Sequence, residues 1–204
     1  GVGAIATQAF AKVTFGPDGL RLLATGLSAE ESLAKLLATD PEAEHRQVGV
    51  VDTQGGAAAH TGADCFDYAG HYMGEGFTCQ GNILAGRVVI DTMVRAYLGA
   101  KGSLADRLLE TLLAGDRVGG DKRGRQSAAV LVVKAGGGYG GDNDRFIDLR
   151  VDDHDDPIPR LRELLTLRSL YFDKTPLEKR LPIDNSIASE LQVMLKAQGH
   201  YQGE

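Results

Sequence analysis

Apolar and polar positions follow one another along the chain in a way that predicts short strands set between pairs of helices. Residues 2–9 are small and mostly apolar, which is typical of a buried strand, and residues 48–52 form the next apolar run. Residues 57–60 follow a glycine turn and are the expected hairpin partner of that run. A further strand is predicted over residues 77–82, whereas residues 63–76 show no period and are predicted to form a loop.

Four helices are predicted from apolar residues at helical spacing, and they come in two consecutive pairs. The first pair covers residues 17–26 and 28–40, and the second covers residues 89–97 and 103–115. Glycine is expected to end the first and the last of these helices, at positions 26 and 115. The second helix of each pair begins with a capping box, in which a serine and an acidic side chain three residues later satisfy free helix N–H groups: Ser28 with Glu31, and Ser103 with Asp106.

The later part of the chain is predicted to add two strands and two helices. Residues 128–133 are apolar without alternation, which predicts a buried central strand. Residues 146–152 alternate cleanly between apolar and polar, which predicts a strand with one face inward. A helix is expected to begin at Pro157, and the last apolar face at helical spacing runs from Ile187 to Leu195.

The order of these elements predicts the fold class. Paired helices between groups of strands differ from the single alternation of strand and helix that a doubly wound sheet requires. The chain is therefore predicted to be α+β, a four-layer α-β-β-α sandwich in which two antiparallel sheets pack face to face with helix pairs outside. Residues 1–172 are assigned to this domain, residues 173–185 to a polar linker, and residues 186–204 to the start of a further module.

Composition limits the classes of function. The 204 residues are enough for one well-cored domain, and 43% hydrophobic with 25% charged residues is ordinary for a globular protein. A net charge of −6 argues against a nucleic-acid partner, and no apolar run approaches the roughly 20 residues that cross a bilayer. Two isolated cysteines do not make a disulfide framework, which favours a reducing, cytoplasmic location.

The segment Gly119 to Ser127 is the main candidate for a binding site. It is a glycine-rich turn that delivers Asp121, Arg123, Arg125 and Gln126 to the mouth of an apolar strand. A guanidinium can bind a carboxylate through two parallel hydrogen bonds, which suits a small acid or a peptide terminus. Asp121 is expected either to orient an arginine or to bind a ligand amine. The alternative interpretation is that the two arginines only tie the loop down through salt bridges.

Other polar residues are weaker candidates for a site. Asn82 follows a glycine at a strand end, where its amide could stabilise an oxyanion, with Gln80 or Gln8 beside it. Thr7 sits in an apolar strand and must either find a partner or face a cavity. His60 could contact a substrate, although a structural histidine is the simpler interpretation.

An acidic run offers an alternative function, that of a metal-dependent hydrolase. Residues 152–156 contain four aspartates and His154, and carboxylates are the ligands that hard cations prefer. Such runs at strand ends are mostly solvated, and Asp156 is expected to cap a helix instead. We therefore predict neither a metal nor a cofactor.

Several segments together carry a resemblance to a known family. These segments are Gly1–Phe10 (GVGAIATQAF), Phe15–Leu20 (FGPDGL), His45–Val51 (HRQVGVV), His60–Gly62 (HTG), Gln80–Leu84 (QGNIL), Gly119–Ala129 (GGDKRGRQSAA) and Asp148–His154 (DLRVDDH). In them the chain resembles the bacterial and archaeal domain-of-unknown-function family numbered 1028, over residues 1 to about 172.

The resemblance implies the four-layer sandwich and an N-terminal-nucleophile (Ntn) amide hydrolase. In such enzymes the first residue of the mature chain is the nucleophile, because its own α-amine, with a pKa near 8, accepts the side-chain proton. Gly1 has no side chain, and the α-nitrogen of Thr7 is a peptide amide, so neither can act in this way. Relatives carry about two strands before the position of Gly1, and the nucleophile is expected in that upstream segment.

The resemblance leads to two hypotheses about function. In the first, the chain is an amide hydrolase for a small or peptide-like substrate that carries a carboxylate. In the second, it is a non-catalytic protein that binds a small ligand or a glycan on the same fold. The tail from Glu190 to Gly203 is similar to the first helix of peptidoglycan-binding modules, which implies a peptidoglycan contact. The small-residue strands favour a symmetric homodimer, and neither nucleic acid nor a membrane is an expected partner.

Overall fold

A computed structural model describes residues 1–173, 178, 180 and 182–203, and it divides the chain into two compact units, Gly1–Thr166 and Leu167–Glu204. The division falls within the fifth helix. Outside the helices and strands, short 3₁₀ turns cover Ala43–His45 and Tyr139–Gly141. The described residues form a mixed α/β protein with six α-helices and three small antiparallel sheets. The elements in chain order are β1 (Gly3–Ala9), α1 (Phe15–Ala24), α2 (Ala29–Ala38), β2 (Arg46–Asp52), β3 (Ala57–Thr61), β4 (Gly70–Gly74), β5 (Phe77–Gly81), α3 (Arg87–Gly99), α4 (Leu104–Arg117), β6 (Ala128–Val133), β7 (Arg145–Val151), α5 (Pro157–Phe172) and α6 (Asn185–Ala197).

The first sheet has the strand order β1-β2-β3, and it carries the helix pair α1 and α2 on one face. Its register pairs Ile5 with Val50 and Val50 with Ala58, so the hairpin predicted between β2 and β3 is confirmed. Val48 and Val50 are fully buried and pack with Phe15 and other apolar side chains of the helices. This core holds the opposite face of β2 in place for the polar contacts described below.

Both predicted capping boxes are confirmed. The Ser28 hydroxyl accepts from the backbone N–H of Glu31, whose carboxylate accepts from the Ser28 N–H. Ser103 and Asp106 make the same reciprocal pair at the start of α4. The prediction that Gly115 ends α4 is wrong, because the helix continues to Arg117 and Gly115 lies inside it, buried against Met93.

The second core lies between the helices α4 and α5 and one face of the β6–β7 sheet. Leu109 and Leu161 pack there against Val130, Val132 and Ile147. The prediction that β6 is buried on both faces is wrong, because its burial alternates and Leu131 is 59% exposed. In the described part of the chain β6 pairs with β7 alone, and the helices cover only one face. An uninterrupted apolar run cannot reveal that its second face has no cover.

The prediction of a loop over residues 63–76 is also wrong in part. Residues 70–74 form β4, which pairs antiparallel with β5 and places His71 opposite Gln80. The segment GHYMG has no apolar alternation, so its strand character comes from the hydrogen bonds to β5 rather than from its own pattern. Three of its five side chains are exposed.

In the second unit, the final helix is found where it was predicted, as α6. The side chain of Asp184 caps it by accepting from the N–H groups of Ser186 and Ile187. The linker predicted over residues 173–185 falls partly outside the described residues. Across the described chain, none of the helices has the length and apolar character that a membrane crossing requires.

Candidate functional site

A cleft of about 660 Å³ in the first unit brings the predicted loop together with β5. This volume lies within the range of small-molecule sites, roughly 300–1,000 Å³. Its polar wall consists of the loop residues Gly120, Asp121 and 123–127, together with Gln80. Apolar side chains from α3, α4, α5 and the segment before α3 complete it: Leu84, Val89, Met93, Leu112 and Ile158.

Backbone hydrogen bonds hold the loop against the chain that follows β5. The Ala85 N–H donates to the Gly120 carbonyl at 2.9 Å, and the Lys122 N–H donates to the Ile83 carbonyl at 2.8 Å. Gly119 and Gly124 have φ values of 118° and 103°, a left-handed region that side chains disfavour. The glycines of this loop are therefore needed for its path along the cleft.

Arg123 is held by Asp121 rather than left free. Its Nε and Nη2 atoms lie 2.9 and 2.6 Å from the two carboxylate oxygens, and its backbone N–H donates to the same group at 2.8 Å. These hydrogen bonds with Arg123 lower the pKa of Asp121. Of the two roles considered for Asp121, orienting an arginine is the one that the geometry gives.

Arg125 connects the end of α4 to the beginning of α5. Its Nε donates to Asp116 at 2.7 Å and its Nη1 donates to Asp156 at 3.1 Å. Hydrogen bonding to Asp116 raises the pKa of Arg125. The loop salt bridges that were the alternative interpretation therefore exist, and they use part of each guanidinium.

The guanidinium atoms of Arg123 and Arg125 that lie outside these ion pairs determine how the loop can bind an acid. Within the described part of the chain, Nη1 of Arg123 and Nη2 of Arg125 have no hydrogen-bond partner. Each guanidinium has five N–H groups and uses two of them in its ion pairs, so each keeps N–H groups that can donate to a ligand. A ligand carboxylate can therefore receive hydrogen bonds from both arginines.

The cleft also contains an acidic residue from outside the loop, Asp153. Its lining contains the two arginines and the carboxylates of Asp116, Asp121 and Asp153. Asp153 has no ion pair or hydrogen bond among the described residues, so its carboxylate can accept from a ligand N–H. The acidic run of residues 152–156 marked Asp153 in the sequence as a candidate metal ligand, and not as a residue of this cleft.

Gln47 is the centre of a buried amide cluster next to this cleft, and the sequence analysis missed it. It is fully buried, and its Nε2 lies 2.8 Å from the Gly81 carbonyl oxygen and 3.1 Å from that of Gly70. Carbonyl oxygens only accept, so these contacts identify the side-chain nitrogen of Gln47. Its Oε1 accepts from the amides of Gln8 and Asn82, each at 3.2 Å.

The two residues that follow these amide donors have unusual backbones. Ala9, after Gln8, has φ 62°, and Ile83, after Asn82, has φ 56°. Left-handed backbone is unfavourable for these side chains, particularly for β-branched isoleucine. The hydrogen bonds of both amides to Gln47 lie directly before these two positions. Gln8 and Asn82 are therefore brought together, but neither lines the cleft.

Gln80 is the predicted oxyanion-site residue that does line the cleft. Its carboxamide lies over Gly49 of β2, where a Cβ atom would come within 2.7 Å of both amide heavy atoms. Its Oε1 is buried and has no hydrogen-bond partner among the residues that the structure describes. An unpaired buried acceptor is unusual and commonly marks a site for water or ligand.

The structure places Thr7 and His60 away from the cleft. Thr7 pairs with Val48 in the sheet, and its hydroxyl is buried without a hydrogen-bond partner in the described part of the chain. His60 belongs to β3 and contacts the Ala43 carbonyl through Nε2 at 2.9 Å. Among the residues that the structure describes, no group of three or more metal-ligating side chains is arranged to hold an ion.

Comparison with known proteins places the chain in a family. Residues 1–161 match the model of the family of unknown function DUF1028, and the chain belongs to that family. It is also similar to the crystal structure of protein SPO2555 from Silicibacter pomeroyi, described as a DUF1028 protein. That likeness has 29% identity and a TM-score of 0.74, and it covers 82% of this chain and 70% of the other. No curated protein matches the chain.

Proposed function

We propose that the protein binds a small amide that carries a carboxylate in the cleft beside Gln80 and cleaves its amide bond as an Ntn-type hydrolase. The cleft itself carries this proposal. Arg123 and Arg125 each have an N–H for the carboxylate, and Asp153 can accept from a ligand N–H. The apolar residues opposite suit an aliphatic side chain of the ligand.

In an Ntn-type hydrolase the nucleophile is the first residue of the mature chain. On the four-layer sandwich that the family resemblance implies, an N-terminal Thr, Ser or Cys would attack the amide carbon while its own α-amine takes the proton. Gln80, which lines the cleft, would donate an amide N–H to the developing oxyanion. Asn82 does not line the cleft, and its amide donates to Gln47 instead.

Binding is tested by calorimetric titration of the full-length protein with N-acetyl-leucine and with alanyl-leucine. We expect Arg125→Gln to weaken binding of either ligand about tenfold, which corresponds to about 1.4 kcal/mol. Arg150→Gln is the matched control, since Arg150 forms an exposed ion pair with Asp152 and does not line the cleft. Equal affinities for the two variants would place the carboxylate elsewhere.

Cleavage is tested separately by following release of free leucine from the same ligands by NMR. N-terminal sequencing of the purified full-length protein identifies its first residue, and replacement of that residue by alanine should abolish turnover without changing affinity. Turnover that survives this replacement would rule out the N-terminal nucleophile.

A second candidate is a binding protein without catalysis, for a small ligand or a glycan. One observation favours it: among the described residues that line the cleft, Ser127 is the sole hydroxyl side chain and there is no histidine or lysine to act as its base. Tight binding of alanyl-leucine with no leucine released by the full-length protein would support this function.

A further inference from the structure

A second cleft, of about 410 Å³, lies in the first unit and shares no lining residue with the first. Polar and aromatic side chains from β3, β4, the segment before β4 and the start of α3 line it. Those that bear on its chemistry are Thr61, Asp67, His71, Tyr72, Arg87 and Asp91.

A series of polar contacts reaches this cleft from Gln47. The two N–H groups of Gln47 are shared among the Gly70 and Gly81 carbonyls and the Thr61 hydroxyl oxygen, which lies 3.0 Å from Nε2. The Thr61 hydroxyl oxygen in turn lies 2.9 Å from Nδ1 of His71. When the Thr61 hydroxyl is the donor in this contact, His71 carries its own proton on Nε2.

Two effects favour the neutral form of His71. Partial burial lowers its pKa, and the nearby His60 lowers it further. A neutral imidazole with its proton on Nε2 offers one N–H donor there and no net charge. A neutral His71 supplies no positive charge for an anionic ligand.

Tyr72 gives the cleft a rigid aromatic surface. Its ring stacks on Phe77 with centroids 5.9 Å apart, and Phe77 packs on Tyr97 at 4.6 Å. Tyr72 is nevertheless 43% exposed. A stacked ring of this kind presents an apolar face without the entropic cost of ordering a mobile side chain.

The charged groups of the cleft supply both donors and acceptors. Nε of Arg87 lies 3.5 Å from Oδ2 of Asp91, and Asp67 adds a second carboxylate. With His71 neutral, one positive and two negative charges remain, which does not favour a free anion. A pyranose ring has apolar C–H faces and a rim of hydroxyls that each donate and accept. We propose that this cleft binds a neutral hexopyranose, stacked on Tyr72 and hydrogen-bonded to Nε2–H of His71 and to the carboxylates.

The test uses ¹⁵N-labelled full-length protein titrated with glucose, galactose and N-acetylglucosamine, and separately with phosphate, acetate and tetramethylammonium. We expect saturable shifts of residues 67–72 and 87–91 with at least one sugar, at millimolar affinity, and none with the ions. Saturation at these residues by an ion alone, or no saturation by any sugar at 50-fold excess over about 1 mM, overturns the proposal.

Two variants of His71 separate binding from folding. His71→Gln keeps an N–H donor and should retain sugar affinity within about threefold, whereas His71→Leu should lose at least tenfold. His200→Leu is the control, since it changes a histidine of the second unit. Equal affinities of the two His71 variants would overturn the donor role. Long-range ¹⁵N correlation spectra should show the Nε2–H tautomer, and an Nδ1–H tautomer would contradict it.

Discussion

Arg46 and Asp40 form an ion pair in the interior of the first unit, with the Arg46 Nε 2.8 Å from a carboxylate oxygen. Only 7% of the arginine side chain and 2% of the aspartate side chain are exposed. Arg46 also donates to Glu42 and to the Phe10 carbonyl. The pair therefore joins the end of α2 to the first residue of β2 and to the chain that leaves β1.

Asp40→Asn should destabilise the protein substantially. Removing the carboxylate leaves a buried guanidinium with only part of its partners, so we expect the free energy of unfolding to fall by about 3 kcal/mol, at the lower end for breaking a buried pair. Asp18→Asn is the control, because the ion pair of Asp18 with Arg21 is exposed and should contribute less than about 1 kcal/mol. Urea unfolding of both variants measures the difference, and similar losses would contradict the buried pair's role.

The same pair predicts how stability depends on pH. Hydrogen bonding to Arg46 lowers the pKa of Asp40 to about 2 in the folded protein, against 3.8 for the unfolded group. The contribution is therefore complete above about pH 4 and is lost as the pH falls through 2. Urea midpoints measured from pH 5 to pH 2 should decline less steeply for Asp40→Asn than for the unchanged protein. Parallel profiles would place the acid sensitivity in other carboxylates.

Gln47→Leu should lower stability although it replaces a polar residue by an apolar one of similar size. The change leaves two carbonyl oxygens and the amides of Gln8 and Asn82 without a partner, and each unsatisfied buried group costs roughly 1–3 kcal/mol. We expect a loss of at least about 2 kcal/mol in urea unfolding. Gln54→Leu, in an exposed turn, provides the baseline. A neutral Gln47→Leu would mean that the cluster repacks or admits water.

Gly49→Ala should displace Thr78 and Gln80. The added methyl would approach both amide atoms of Gln80 to within 2.7 Å and the Thr78 hydroxyl oxygen more closely still, and overpacking of this kind costs about 1–3 kcal/mol. Gly16→Ala is the matched substitution in α1, where a Cβ would meet no atom within 4 Å; helix propensity should make it stabilising by about 1 kcal/mol. Thermal unfolding of the two variants should therefore shift in opposite directions, and a stabilised Gly49→Ala would refute the close packing.

Local patterns predicted the helices well, for a physical reason. The capping boxes at Ser28 and Ser103 depend on side chains three residues apart, so the sequence contains the whole interaction. The β2–β3 hairpin is similarly local. By contrast, β4 has no pattern of its own and forms because β5 is there to pair with it. The open face of β6 depends on which layers cover it, which no short segment records.

The sequence located one segment of the candidate site, because the glycines and arginines of residues 119–127 are adjacent in the chain. Most of that segment lines the cleft, and its role in binding stays a prediction. The use of Arg125 could not be foreseen, since it pairs with Asp116 nine positions away and with Asp156 thirty-one positions away. Gln47 was missed for the same reason: its side-chain partners lie 14 to 39 positions distant, and a single glutamine at a strand start has no signature.

The position of Gln47 in β2 has a consequence for how the sheet assembles. Side chains alternate between the two faces of a strand, so a slip of one residue would move the carboxamide into the apolar layer beside Phe15 and expel Val48 from it. The Gln47 carboxamide would then lack its hydrogen-bond partners, and the Val48 side chain would lose its place in the apolar core. A single amide thus disfavours misaligned pairing of β2 with β1 and β3, and the correct alignment places Thr61, which lines the second cleft, within hydrogen-bond distance of Gln47.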